Sequence, residues 1–213
     1  MAAKPNVTDL AVAERADLHA LVTSLSPEEW HRPSLCEGWT VRDVVVHVVS
    51  YDELGWSGLP GAFLRGGLRV DAVNQHVLER YADLTVPEVV GLVARSSRPR
   101  GLTSGFGGAI ALTDGLIHQQ DVRRATGRVR TIPEDRLTVA LDFALRAPTL
   151  PARGHARGLR LVTTDLSWER GDGREVRGPG EALLMAVAGR SQALGELEGD
   201  GVATLARRLG AVS

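Results

Sequence analysis

Three residues of this 213-residue chain have the types and spacing for metal chemistry: His47, Asp114 and His118. His47 ends the stretch WHRPSLCEGWTVRDVVVH, residues 30–47, and stands among Val44, Val45, Val46, Val48 and Val49. An imidazole buried in such company needs a partner. Asp114 and His118 are four residues apart in a segment of helical pattern, so they project from one face. A carboxylate and an imidazole so placed can bind one cation side by side, as paired histidines at i, i+4 do in zinc peptidases. Two imidazoles and one carboxylate suit zinc with one position left open, and also Fe(II), Ni(II) or Mn(II). Each segment alone has a plainer reading. His47 can be a core side chain bonded to a backbone carbonyl, and the DxxxH pair an exposed helix contact worth roughly 0.2–0.5 kcal/mol.

The elements that carry these residues are legible from capping and periodicity. Thr40 followed by Asp43 forms a capping box with Asp in place of Glu or Gln, and starts a helix over 41–56 that holds His47 two turns in. Residues 109–126, AIALTDGLIHQQDVRRAT, read as a helix stopped by Gly127. Further helices are expected over 6–25 (capped by Thr8 or Asp9), as a short turn at 26–30, over 68–81 and over 87–95. Gly58, Pro60, Gly61, Gly66 and Gly67 interrupt the chain before the third long helix. SSRPRGLTSGFGG, residues 96–108, reads as a loop. The first 130 residues thus suggest a helical bundle whose facing helices hold a site in the core.

Residues 131–213 have another texture. A helix is expected from 133 to about 147, then strands over 157–164, 167–170 and 175–178. The last two strands flank the turn Gly171-Asp172-Gly173. A helix follows over 181–190 and a final one after Gly201. This α+β unit is small enough that it should pack on the bundle. Trp168 is expected in a core or interface.

Composition narrows the classes. Hydrophobic residues are 43%, charged residues 24% and the net charge −1. That is a soluble globular balance with no basic, aromatic-studded stripe for nucleic acid. No apolar run approaches a membrane span, and the N-terminus lacks an apolar signal core. Cys36 is the only cysteine. An intrachain disulfide is therefore impossible, and a cytoplasmic, reducing compartment fits. Cys36 reads more readily as a semi-buried loop residue than as a nucleophile, placed near the mouth of any site that His47 forms. Lys4 is the only lysine, and this Arg-rich usage suggests a GC-rich genome. His19, His31, His76 and His155 have no partnered spacing and read as surface or loop residues.

Three motifs together resemble the mycothiol-dependent maleylpyruvate isomerase family, within the DinB/YfiT-like group of metal proteins. They are W..PS.C.GW.VRD...H over 30–47, D...HQ.D..RA over 114–125, and GP.EALL...GR with GDG..L..RL near the C-terminus. The resemblance implies an α+β protein: a DinB-like four-helix bundle, then a small sterol-carrier-like α+β domain. It implies a divalent metal, usually zinc, on His47, Asp114 and His118, with mycothiol as cosubstrate and an actinobacterial source. The family's acid is often Glu. Asp114, one methylene shorter, would bind at longer range, through water, or not at all. An open metal position would lower the pKa of the thiol sulfur, and the thiolate would attack a small electrophile, as an isomerase or a transferase. Arg190 resembles a substrate arginine of isomerase members; the alternative is a surface or interdomain ion pair. Asp121, three residues past His118, can orient a ligand or pair with Arg42 or Arg124. Two other readings stand beside the enzyme: a non-catalytic binder of small ligands, and a metal hydrolase using water. Either a monomer or a homodimer is compatible with the sequence.

Overall fold

The computed structural model describes residues 6–52 and 70–211. The chain divides into two compact units, Met1–Val129 and Arg130–Ser213. Helices dominate, and a three-stranded sheet makes the fold a helix-rich α+β one.

The first unit contains α1 (Val7–Ser24), α2 (Pro27–Trp30), α3 (41–52), α4 (Val70–Glu79), α5 (Val86–Arg95) and α6 (Ala109–Thr126). Asn6 caps α1, its side chain accepting from the Thr8 N–H, so neither Thr8 nor Asp9 is the cap. Ser26 and Glu29 make a reciprocal capping box on α2, with Pro27 in its first turn. The far end of the helix expected over 41–56, the start of that over 68–81 and the Gly/Pro interruption between them lie outside the described residues.

Burial overrides propensity in α3. Its valines are poor helix formers, yet Val41, Val44, Val45, Val46, Val48 and Val49 are all buried. At about 1.5–3 kcal/mol for each side chain fully removed from water, their burial outweighs the local cost. They pack in one core with Leu18, Leu21, Val22, Trp30, Val89, Leu92 and Val93. Gln119 of α6 donates to both Oε1 (2.7 Å) and the carbonyl of Glu14, which ties α6 to α1.

The segment expected as a plain loop before α6 coils into 3₁₀ turns over Gly101–Gly108, kinked at Gly105–Gly107. Phe106 lies there at φ 53°, the only non-glycine residue with positive φ among those described, and is exposed.

The second unit contains α7 (Glu134–Ala144), α8 (Ala152–His155), β1 (Leu159–Thr163), β2 (Glu169–Arg170), β3 (Arg174–Gly178), α9 (Gly180–Val187), a 3₁₀ segment (Ser191–Glu196) and α10 (Val202–Arg208). β2 and β3 are consecutive but do not pair. The order is β2-β1-β3, with β1 antiparallel to β2 and parallel to β3. The turn Gly171-Asp172-Gly173 therefore crosses the start of β1 rather than closing a hairpin. A Cβ on Gly171 would sit 2.2 Å from the Leu159 carbonyl oxygen, and one on Gly173 2.5 Å from that of Gly158. Both glycines also have positive φ, so only glycine fits this crossing. α9 is buried along nearly its whole length, as expected of a helix apolar on all sides. Trp168 is buried, and its indole N–H donates to Asp142 Oδ1 at 3.0 Å.

Candidate metal centre

Two elements present the three ligands expected from the sequence, and each has a local cause. The loop before α3 is closed by Ser34, whose amide donates to the Trp39 carbonyl (2.9 Å), and by the Val41 amide, which donates to Arg32 O (2.9 Å). Ser34 Oγ also takes the Cys36 amide at 3.1 Å, and Gly38 turns the chain at φ 77°. The PS.C.GW residues are thus mostly loop architecture that sets Cys36 and Trp39 beside α3. Thr40 and Asp43 then start the helix: the Thr40 amide donates to Asp43 Oδ2 (3.0 Å) and the Asp43 amide to Thr40 Oγ1 (3.2 Å). At the end of α6, Gly127 closes the helix at φ 69°.

His47 from α3 and Asp114 and His118 from α6 converge, with one ligand atom of each within 4.8 Å of the others. Asp114 Oδ1 lies 3.7 Å from His47 Nε2 and 3.5 Å from His118 Nε2. The shorter acid therefore reaches both imidazoles. The imidazoles meet edge to face, with centroids 4.7 Å apart. Trp39 flanks them at 4.9 Å from His47 and 6.3 Å from His118, and Tyr51 meets His47 edge-on at 5.4 Å. The Asp114 side chain is about one-third exposed (33%), while those of both histidines are mostly covered.

Behind this triad stands Asp121, fully buried. Its Oδ2 accepts from His118 Nδ1 at 3.0 Å and from the Cys36 thiol at 3.0 Å. A carboxylate on Nδ1 fixes the imidazole tautomer and directs the Nε2 lone pair towards a cation, as at many histidine-bound metals. That arrangement is the observation by which these residues fit a metal ion. Arg42, which charge alone offers as a partner for Asp121, instead donates to the carbonyls of Tyr81 (2.7 Å) and Leu84 (2.8 Å). Cys36 Sγ also lies 3.6 Å from His118 Nδ1. Cys36, His118 and Asp121 thus form a second group with ligand atoms in reach of one another.

The charges are strongly coupled. Burial pushes the Asp114 carboxyl up, but His118, His47 and Arg15 outweigh it and leave the group well below the usual carboxylate range. Burial works against a charged His118, yet Asp114, Asp121 and Cys36 push it up to about 10. Tyr51 is pushed up to about 12, by burial first and then by Asp114.

Deeper in the same unit, Arg15 of α1 is buried against Asp52 of α3 at 3.4 Å. Thr103 Oγ1 donates to Asp52 Oδ1. The sequence signal that could have found Arg15 is its spacing: it continues the buried stripe of Ala11, Leu18 and Val22 at helical period.

Arg190 lies in the second unit, where it precedes the 3₁₀ segment and its Nη1 donates to the Ala188 carbonyl at 2.9 Å. His155 is half-buried rather than a surface residue, with Nδ1 2.8 Å from Val187 O. Among the described residues, no helix is long and apolar enough to cross a membrane.

Fold and side chains together define a helix-rich α+β protein with a histidine–carboxylate cluster inside its first unit. Residues 11–155 match the family described as the mycothiol maleylpyruvate isomerase N-terminal domain, and the chain belongs to that family. Among solved structures, it is similar to a crystal structure of the mycothiol-dependent maleylpyruvate isomerase, with TM-score 0.58, 17% identity and 91% of each chain covered. A histidine-to-alanine mutant of that enzyme matches with TM-score 0.57, also at 17% identity and 91% coverage of each chain. At that identity the likeness carries the fold alone. A search of curated proteins finds no significant match.

Proposed function

We propose that this chain is a mycothiol-dependent isomerase or thiol transferase that uses a divalent cation, zinc by preference, held by His47, Asp114 and His118. The observation that carries the reading is the convergence of His47 Nε2, His118 Nε2 and Asp114 Oδ1, with His118 Nδ1 engaged by buried Asp121. Family membership supports mycothiol as the thiol and isomerisation as the reaction type. Two imidazoles and one carboxylate leave a cation a position open, as catalytic sites require. When bound, the cation supplies Lewis acidity, which lowers the pKa of a nearby thiol into the neutral range.

The chain's own residues do the rest. His47 and His118 offer neutral nitrogen, Asp114 supplies the negative charge, and Asp121 holds the proton at His118 Nδ1. Trp39 and Tyr51 wall the imidazoles and exclude water on their sides. A thiolate that adds to a carbon of a cis double bond permits rotation about it, and elimination then returns the trans product. If the sulfur stays on carbon, the outcome is a transfer. Arg190 is assigned to the substrate's carboxylate end. The finer architecture belongs to the same reading: a DinB-like four-helix bundle carries the metal, a sterol-carrier-like α+β domain follows over 131–213, and the protein works in the cytoplasm.

Metal analysis of the purified chain tests the centre, with His47→Ala beside it. About one metal per chain, lost in the variant, is the expected result; a metal-free wild type would refute it. Consumption of mycothiol with a test electrophile then checks thiol dependence. Turnover that ignores the thiol would remove the reading.

A further inference from the structure

The second unit carries a cleft of about 730 Å³ with a basic wall. Gly154 and His155 of α8 line it, with Arg157 and Gly158 between α8 and β1 and Arg208 at the end of α10. No acid is among these lining residues; Asp172, in the turn that crosses the start of β1, lies outside them. The volume suits a small organic molecule rather than a bare ion.

The guanidiniums at this cleft carry no counter-charge. Arg208 Nη1 donates to the His155 carbonyl, which ties α10 to α8. His155 is fixed in turn, with Nδ1 2.8 Å from the Val187 carbonyl oxygen of α9. Among the described residues, neither Arg157 nor Arg208 meets a carboxylate. Elsewhere in the unit Arg160 is held by Glu169 and Glu175, Arg170 by Asp142 and Arg177 by Glu175. Arg174 stands opposite Leu159 in the β1–β3 register, so it adds another exposed cation to the same end of the sheet. Like charges grouped in this way repel one another, and an anion among them both relieves the repulsion and accepts their N–H groups. The glycines keep the cleft open: a Cβ at Gly154 or Gly158 would meet nothing within 4 Å, and Gly158 turns the chain at φ 63°.

We propose that this cleft binds a small organic dianion through its phosphate or its paired carboxylates, with Arg157 and Arg208 as the two forks. A guanidinium presents paired donors in one plane, which match either group. The site lies wholly within the second unit and does not rest on the cation reading. Its arginines are exposed, so the affinity is salt-dependent.

Inorganic phosphate and malonate are the probes, titrated by calorimetry into the full-length chain at low ionic strength. At least one should bind saturably, to about one anion per chain, and weaken as sodium chloride is raised. Arg157→Gln and Arg208→Gln should each lower the affinity about 10-fold. Gly154→Asp sets a carboxylate in open space, so it should abolish binding while the unfolding midpoint stays near that of the wild type. Arg207→Gln, next to Arg208 but outside the lining, should bind as the wild type does, and so should His47→Ala. Tighter phosphate assigns the phosphate group to the ligand, and tighter malonate the paired carboxylates. No saturable binding of either probe, or unchanged affinity in Arg157→Gln or Gly154→Asp, overturns the proposal. Binding lost in His47→Ala would put the anion on the cation and overturn it as well. The metal content of the wild type, read separately, tests the histidine–carboxylate centre on its own.

Discussion

Two buried polar clusters lie in the first unit, and they are built in opposite ways. Around His118 the groups answer one another: Asp114 at Nε2, Asp121 at Nδ1, and the Cys36 thiol on the same Asp121 oxygen. Around Arg15 one acid meets one edge of a guanidinium, and among the described residues Arg15 Nε, Arg15 Nη1 and Asp52 Oδ2 have no hydrogen-bond partner. The first cluster has more acid than base and suits a cation. The second is a one-to-one buried ion pair in which each partner keeps an unmatched polar atom. Burial alone does not tell such sites apart; the balance of donors and acceptors does.

The largest expected effect falls on the first cluster. His118→Ala removes a proposed ligand and the partner of Asp121 together, so metal content should drop to background by elemental analysis. A variant that keeps a full metal would move the site to other residues. Next comes the second cluster. Arg15→Met leaves Asp52 buried alone and should cost about 3–5 kcal/mol in chemical denaturation, most of it recovered when Asp52→Asn is added. Equal losses in the single and double variants would mean that the pair is not coupled. A smaller effect separates holding a metal from orienting its ligand. Asp121→Asn can still accept from His118 Nδ1 but no longer as a charge, so metal affinity should fall about 10–100-fold in a competition titration. An unchanged affinity would reduce Asp121 to packing.

The smallest effect calibrates both clusters against a pair nearer the surface. Arg128 donates to Glu29 at 2.8 Å, and this bond, with the Ser26 amide, lowers the Glu29 carboxyl to about 2. A depressed folded-state pKa means stability that is present above the unfolded value of 4.5 and lost as pH falls toward about 2. The gap in unfolding midpoint between wild type and Glu29→Gln should therefore close over that window. A gap that stays constant would show that the pair contributes no charge-dependent stability, as is common for solvent-screened pairs.

Much of the frame is legible locally. The helix over 109–126, its glycine stop, the Thr40–Asp43 capping box and the Asp114–His118 pair each depend on residues within about a turn of one another. Other features are not legible in that way. The α1 cap falls on Asn6 rather than Thr8 or Asp9, because several nearby polar residues compete for one position. The turn at 171–173 lies between the two strands as expected, but its chain crosses β1, since turn chemistry does not specify which strand receives the next one. Of the two readings of Asp121, a ligand-orienting acid or a charge partner of Arg42 or Arg124, the contact with His118 favours the first, while Arg42 goes to backbone carbonyls.

The sequence by itself determined the helix over 109–126 with its glycine stop, the capped start of α3, the family, and three candidate side chains for a cation, because capping, periodicity and motif spacing act over short range. Tertiary structure alone decided that Asp114 is long enough to reach both imidazoles, that Asp121 takes Nδ1 of His118, that Cys36 shares that carboxylate, and that Arg15 meets Asp52 from 37 residues away. Those pairings depend on how α1, α3 and α6 pack, and packing is fixed by the whole core rather than by any one segment.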